Sequence, residues 1–281
     1  MRDFTLNTFA LLLSALKKRG YTFCTVRELL QTINTKQPDN NLTCILRHDV
    51  DRLPLNSLAT ARLENSLGIK GTYYFRIVEE SFDDTIIKQI EALGHEIGYH
   101  YEDVDLAQKV LIKNGEIIHE DNLLTKAYDL FKLNLEKLQS VSQISTICMH
   151  GSPLSKYDNK LIWKKYNYKE IGILGEPYLD INWKLFGYLT DTGRRWDGEK
   201  YSVRDKVLNV TGKDLYSEPS HFTKNIYSNT FEIIADVINL PEKIMFTVHP
   251  QRWNNNFYRW TAELISQNVK NLIKRYYLLK R

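Results

Sequence analysis

The chain has 281 residues, of which 43% are hydrophobic and 26% are charged, a composition typical of a folded globular protein with a sizeable core. Its net charge of +4 is small and scattered, which argues against a nucleic acid partner. The three cysteines, Cys24, Cys44 and Cys148, show no CxxC spacing. This spacing suggests neither a disulfide framework nor a cysteine zinc knuckle, and reduced thiols in the cytoplasm fit best.

The first predicted element is an amphipathic helix. An apolar run at residues 9–16 is followed by Lys17, Lys18 and Arg19 instead of a small-residue cleavage site, so we do not interpret it as a secretion signal. No stretch of the sequence is long enough to span a membrane. We therefore expect a cytoplasmic protein. Because repeats, low-complexity tracts and linkers are absent from the sequence, we expect a single domain over residues 1–281, with its core at about 40–252.

Apolar, strand-like runs then alternate with helical stripes along the chain. The predicted strands cover residues 43–50, 71–77, 96–101, 144–149 and 243–249. Residues 167–215 favour short strands and long loops. The closing helix carries one apolar face formed by Leu264, Ile265, Val269, Leu272, Ile273 and Tyr276. Repeated βα units predict an α/β fold with a mostly parallel sheet or barrel and helices outside it.

Histidines stand at the carboxyl ends of four of these strands, namely His48, His100, His150 and His249. In parallel α/β folds, that end of the sheet is where ligands and reacting groups collect. One such histidine would carry little information, but four together with a pair of aspartates predict a convergent polar site.

Side-chain alternation suggests which groups share a face. Asp49 and Asp51 are two residues apart, as are His100 and Glu102, so each pair can point to one side of an extended backbone. An imidazole with one or two carboxylates suits zinc or another divalent metal. The alternative for the aspartates is structural: they would cap the next helix or pair with nearby arginines.

Three motifs in this order resemble those of a known family: Asp-Val-Asp at 49–51, GHEIGYH at 94–100 and MFTVHP at 245–250. They are similar to the polysaccharide deacetylase family, also called the NodB-homology or carbohydrate esterase 4 family. The HDVD, MHGSPLS, DTGRRW and HPQRW segments resemble a divergent bacterial branch associated with surface-polysaccharide gene clusters. The resemblance implies a distorted (β/α) barrel that uses a divalent metal, zinc by our expectation, to remove acetyl groups from sugars.

The resemblance also implies roles for individual residues. Asp49 corresponds to the general base and Asp51 to a metal ligand. His100 corresponds to the first histidine of the family's HxxxH metal motif. His249 corresponds to the general acid, and Asp191 to the acidic residue that supports it.

This chain differs from the family pattern at three places. Val50 separates the two aspartates, Val104 stands where the second metal histidine belongs, and His150 stands where the family has an arginine. Either Glu102, by side-chain parity, or His150, by position, is then the third protein ligand of the metal.

Other residues are candidates for substrate contact or for the role of the missing arginine. The arginines that could orient the base are Arg47, Arg52, Arg194 and Arg195, and Arg194 is also a candidate for substrate contact. Trp196 is expected to line the pocket, and Trp253 is a candidate for stacking on a sugar face. For each tryptophan, packing in the core is the competing interpretation.

These observations favour a metal-dependent deacetylase acting on an N-acetylated sugar or a polysaccharide precursor. A nucleotide-sugar glycosyltransferase using Asp49 and Asp51 is one alternative, although it has no need of His100 and His249 at strand ends. A non-catalytic carbohydrate-binding relic is the other. All three interpretations expect a carbohydrate ligand, and none predicts an oligomeric state.

Overall fold

The computed structural model describes residues 1–35, 41–151, 155–196 and 227–279. Within these ranges, one sheet contains seven strands, and every strand pairing is parallel. The strands are β1 (Thr22–Cys24), β2 (Thr43–Val50), β3 (Thr72–Phe75), β4 (Glu96–Tyr101), β5 (Ile147–Met149), β6 (Gly187–Thr190) and β7 (Lys243–Val248).

The strand order is β5-β4-β3-β2-β7-β6, and β1 pairs with the start of β2. The sheet curls into an open, distorted (β/α) barrel, because its end strands, β5 and β6, do not pair with each other in the described part of the chain. The predicted α/β class is confirmed. The predicted run at 144–149 forms a strand only over Ile147–Met149, and β1 was not predicted. Of the region 167–215, only residues up to 196 are described.

The helices of the described residues flank this sheet. They are α1 (Leu6–Arg19), α2 (Val26–Thr35), α3 (Pro54–Ser66), α4 (Asp84–Ala92), α5 (Asp103–Lys113), α6 (Glu120–Gln139), α7 (Pro177–Asp180), α8 (Thr230–Ala235) and α9 (Phe257–Leu279). None of them has the length and apolar character needed to cross a bilayer.

The predicted N-terminal helix is α1, and its ends follow from its sequence. The Thr5 hydroxyl accepts a hydrogen bond from the Thr8 backbone N–H at 3.1 Å and caps the first turn. Gly20, at φ +104°, ends the helix in a left-handed conformation that other residues rarely adopt. The buried face of α1, which includes Phe9, Leu12 and Leu16, belongs to the same core cluster as Leu46 of β2. The helix therefore covers the outer face of the central strands.

The two glycines of the GHEIG motif have different structural roles. Gly94, at φ +87°, follows Leu93, the C-cap of α4, and turns the chain towards β4. Gly98 lies within β4, where a Cβ atom would come within 2.3 Å of the Tyr74 ring on β3. The motif thus allows two aromatic-rich strands to approach each other closely.

The closing helix is confirmed as α9, but its apolar face does not pack on the protein. Ile265, Val269, Leu272 and Ile273 are exposed, whereas the polar Glu263 and Gln267 are buried. Leu264 is only partly buried, and the Tyr276 side chain lies outside the described residues.

Candidate active site

The site begins with two residues of β2 whose side chains share one side of the strand. Arg47 is fully buried, and its Nε and Nη2 donate to Oδ1 and Oδ2 of Asp49 at 2.9 and 2.6 Å. The Arg47 guanidinium also lies over the Tyr178 ring at 4.7 Å. Asp49 is only 1% exposed, so its charge depends on this two-point contact. Of the arginines proposed to orient the base, Arg47 is the one that contacts Asp49.

Asp51 follows β2 and is held from two directions. Its Oδ2 accepts a hydrogen bond from Gln251 Nε2 at 3.0 Å, and its backbone carbonyl accepts one from Arg76 Nη1 at 3.2 Å. Its Oδ1 is buried and has no hydrogen-bond donor of good geometry among the described residues. This oxygen therefore has a lone pair available for a ligand.

Two histidines converge on that oxygen. His100 Nε2 lies 3.7 Å and His150 Nδ1 lies 3.2 Å from Asp51 Oδ1, and the two imidazole nitrogens are 3.2 Å apart. His100 Nδ1 is 3.0 Å from the carbonyl oxygen of Cys148. Because a carbonyl only accepts, Nδ1 carries the proton and the Nε2 lone pair faces Asp51.

Asp51, His100 and His150 form a ligand group that fits a divalent metal. Their nitrogen and oxygen atoms lie within 4.8 Å of one another. Two imidazoles and a carboxylate are a donor set that zinc accepts. A second group, made of Asp49, His100 and Cys148, meets the same distance limit. It fits a metal less well, because both oxygens of Asp49 already accept hydrogen bonds from Arg47.

His249, at the end of β7, lies on the other side of Asp51. Its Nδ1 is 2.6 Å from Asp191 Oδ1, and its Nε2 is 3.9 Å from Asp51 Oδ2. Asp191 is completely buried and accepts further hydrogen bonds from Arg252 Nη1 at 2.6 Å and Trp253 Nε1 at 2.8 Å. These contacts fix the carboxylate, and through it the orientation of the His249 imidazole.

The three buried aspartates of the site all have lowered pKa values. Burial raises the pKa of Asp49, but the positive charge of Arg47 outweighs burial and lowers it below the ordinary value. Burial also raises the pKa of Asp51, but the interaction with His150 outweighs burial and lowers the pKa well below its ordinary value. The pKa of Asp191 is likewise lowered, because Arg252 and His249 outweigh its burial. All three aspartates are therefore carboxylates at neutral pH.

The histidines differ from one another. Burial lowers the pKa of His100 to about 4, so its imidazole is neutral at neutral pH and able to act as a ligand. Burial and Arg252 both lower the pKa of His249, but Asp191 reverses this and raises the pKa above the ordinary value. The pKa of His150 is also raised, because Asp51 outweighs burial. A metal bound beside Asp51 would displace that proton.

Glu102, the ligand favoured by side-chain parity, is engaged elsewhere. Its two oxygens accept hydrogen bonds from Arg76 at 2.7–2.9 Å, and it is not among the grouped ligand atoms. Arg76 follows β3, so it reaches both Glu102 and the backbone of Asp51. The geometry groups His150, instead of Glu102, with Asp51 and His100.

The residues expected to contact substrate are buried in the core. Trp196 is 2% exposed and packs against Phe246, and Trp253 is 1% exposed and donates to Asp191. Neither indole has an open face for a sugar. Arg194 is also buried and donates to the Trp260 carbonyl at 2.9 Å, away from Asp49.

The expectation that four strand-end histidines converge is wrong for His48. Its neighbours Arg47 and Asp49 occupy the site side of β2, so His48 faces α3, where its Nε2 lies 2.7 Å from Glu64. It stacks on the Tyr73 ring there. His100, His150 and His249 do converge on Asp51.

Sequence reasoning assigned no role to Gln251, Arg252 or Arg76, which hold the site's carboxylates and backbone. Gln251 and Arg252 lie inside the quoted HPQRW segment, directly after His249. Arg76 directly follows β3. The rule that polar residues at strand ends converge would have identified it.

The Arg47–Asp49 contact leads to a prediction about stability. Arg47→Met leaves a buried carboxylate without its cation, so we expect the free energy of unfolding at neutral pH to fall by about 3–5 kcal/mol in urea denaturation. The folded-state pKa of Asp49 is lowered, so the contact contributes stability above the unfolded-state pKa and loses it as the pH falls.

The matched control is the double variant Arg47→Met with Asp49→Asn, which removes both charges and should recover much of the loss. The fall in the free energy of unfolding caused by Arg47→Met alone should also be smaller in acid, where Asp49 is protonated. Equal losses in the single and double variants would mean that packing of the Arg47 side chain, and not its charge, stabilises the strand.

No family model and no curated protein matches the chain. Among solved structures, the chain is similar to the Streptococcus pyogenes deacetylase PplD in complex with acetate. The two share 16% sequence identity at a TM-score of 0.43, and the match covers 62% of this chain and 80% of that one.

Proposed function

We propose that this chain is a metal-dependent deacetylase that removes the acetyl group from an N-acetylated sugar or polysaccharide precursor. The supporting observation is that Asp51 lies between two histidines on one side and an aspartate-supported histidine on the other. A carboxylate held by an arginine stands next to this set. The motif resemblance to the polysaccharide deacetylase family agrees with this arrangement.

Asp51, His100 and His150 are the residues we propose to hold the metal, and zinc suits their donor atoms. When bound, such a metal lowers the pKa of water and polarises a carbonyl oxygen. Asp51 is oriented for this role by Gln251. His100 is oriented by the Cys148 carbonyl, which fixes the tautomer that presents Nε2.

Asp49 is the proposed general base. Its pKa is lowered, so it is ionised and able to accept a proton from the attacking water. Arg47 occupies one lone-pair direction on each oxygen and fixes the plane of the carboxylate. Arg47 is thus a positioning residue, in the place where the family uses an arginine from another motif.

His249 is the proposed general acid. Breaking an amide C–N bond requires a proton on the departing nitrogen, and the raised pKa of His249 keeps a proton available near neutral pH. Asp191 holds the imidazole so that Nε2 points towards Asp51 and the reacting centre. Cytoplasmic location and a surface-polysaccharide precursor as substrate are further parts of the proposal.

Elemental analysis tests the ligands. We expect Asp51→Asn, His100→Ala and His150→Ala each to lower the zinc retained by the purified protein, because each removes one donor of the group. Glu102→Gln is the matched control, since Glu102 is bound to Arg76 and should not affect metal content. Loss of zinc in Glu102→Gln with full retention in His150→Ala would reassign the third ligand to Glu102.

Acetate release from a panel of N-acetylated sugars tests the reaction itself. The wild-type protein should release acetate, and Asp49→Asn should reduce kcat by about 10²–10⁴-fold while retaining the metal, because only general-base assistance is removed. Loss of both activity and metal in Asp49→Asn would contradict the division of labour between Asp49 and Asp51. Absence of acetate release by the metal-loaded wild type from every sugar tested would refute a deacetylase for that panel.

The pH–rate profile tests His249 and its partner. Asp191→Asn removes the carboxylate that raises the pKa of His249, so the upper pKa of the kcat/KM profile should fall and activity should be lost at a lower pH. Asp103→Asn is the control, because Asp103 is also completely buried but accepts from Tyr99 and Asn134 instead of His249. An unchanged upper limb in Asp191→Asn would exclude His249 as the acid.

A further inference from the structure

The closing helix α9 buries polar side chains and exposes apolar ones, the reverse of an ordinary surface helix. Three of its polar side chains face the protein: Glu263 pairs with Arg52, Gln267 donates to Glu263 at 2.7 Å, and Asn271 donates to the Gly193 carbonyl at 3.0 Å. A surface helix normally buries its apolar stripe and exposes its polar one. The contacts between α9 and the body of the protein thus include the Arg52–Glu263 ion pair and the hydrogen bond from Asn271 to Gly193.

Four apolar side chains of α9 form a ridge on the solvent side. The ridge consists of Tyr258, Ile265, Val269 and Leu272, which recur at intervals of seven, four and three residues and so share one helix face. Ile265 is 59% exposed, Val269 53% and Leu272 71%. Single exposed apolar residues are ordinary, but an aligned row of them marks a surface that contacts something else.

The charges of the helix indicate what that partner is. Glu263 is the only acidic residue of α9, and Arg52 already neutralises it. The remaining charged residues of the helix are all basic, namely Arg259, Lys270, Lys274 and Arg275, and Lys280 and Arg281 follow it in sequence. Arg259 and Lys270 are exposed. An apolar ridge with basic residues and aromatic side chains beside it matches a membrane surface rich in anionic lipid.

A second copy of this chain fits the ridge less well. Basic residues lie near both ends of α9, so pairing two such helices in either direction brings cations together. The helix offers no unpaired acidic residue to offset that repulsion. A lipid surface supplies both the apolar contact and the negative charge.

We propose that α9 is an interfacial helix whose ridge docks on an anionic lipid surface. In this arrangement the helix lies along the surface and does not cross it. Because Arg52 follows Asp51 directly and pairs with Glu263, α9 is attached to the protein next to the candidate active site. The inference does not depend on the proposed reaction, since it concerns a different surface.

Vesicle flotation tests this without any substrate. The full chain is mixed with vesicles of equal parts phosphatidylcholine and phosphatidylglycerol, and with vesicles of phosphatidylcholine alone. We expect flotation with the anionic vesicles only, weakened by added salt. The triple variant Ile265→Ser, Val269→Ser, Leu272→Ser should lower the partition coefficient at least about tenfold, because three apolar side chains no longer enter the interface. Arg259→Gln with Lys270→Gln should lower it about fivefold for each charge removed.

The control is a matched triple variant, Ile112→Ser, Leu133→Ser, Ile238→Ser, whose residues are 61%, 63% and 62% exposed on other elements. It should float like the wild type, and circular dichroism should show that both triple variants are folded. Equal losses in the two triple variants, or equal binding to neutral and anionic vesicles, would overturn the proposal. Absence of flotation together with a concentration-dependent dimer that the α9 variant abolishes would assign the ridge to a second copy instead.

Discussion

The arrangement of the site depends on a buried carboxylate that is paired with its arginine on the same strand. Arg47 and Asp49 both lie on β2, two residues apart, and strand alternation directs them to one side. A buried carboxylate alone would be protonated or would destabilise the fold. The paired arginine keeps it ionised in the middle of the sheet, and His100 and His249 from other strands lower its pKa in the same direction. A central strand can therefore deliver a charged carboxylate to the end of the barrel.

The groups around Asp49 follow from the parallel order of the sheet. Since β2 lies between β3 and β7 and β4 follows β3, the carboxyl ends of these strands lie next to one another. His100 and His249 therefore approach Asp51 from opposite sides, although they are far apart in sequence. Their pKa values move apart for physical reasons: burial makes His100 neutral, whereas Asp191 keeps His249 protonated. One histidine is thus suited to bind a metal and the other to donate a proton.

The helix α9 differs from an ordinary amphipathic helix, because its polar face is buried and its apolar face is exposed. Its polar face is attached to the loop after β2 through Arg52 and to the Gly193 carbonyl, and this leaves the apolar ridge exposed. Arg52, the ion-pair partner of Glu263, directly follows Asp51 in sequence.

The sequence by itself determined the α/β class, most strand positions and the identity of the groups at the strand ends, because apolar runs and alternation are local properties of the chain. It also indicated that Asp49, Asp51, His100 and His249 belong together, through strand-end placement and motif resemblance. Only the tertiary structure grouped His150, and not Glu102, with Asp51, because Arg76 reaches Glu102 from the neighbouring strand. It also placed Trp196 and Trp253 in the core and turned the apolar face of α9 outward. Alternation and periodicity define which residues share a face, but which face is buried depends on the elements packed against it, and their positions are set by contacts distant in sequence.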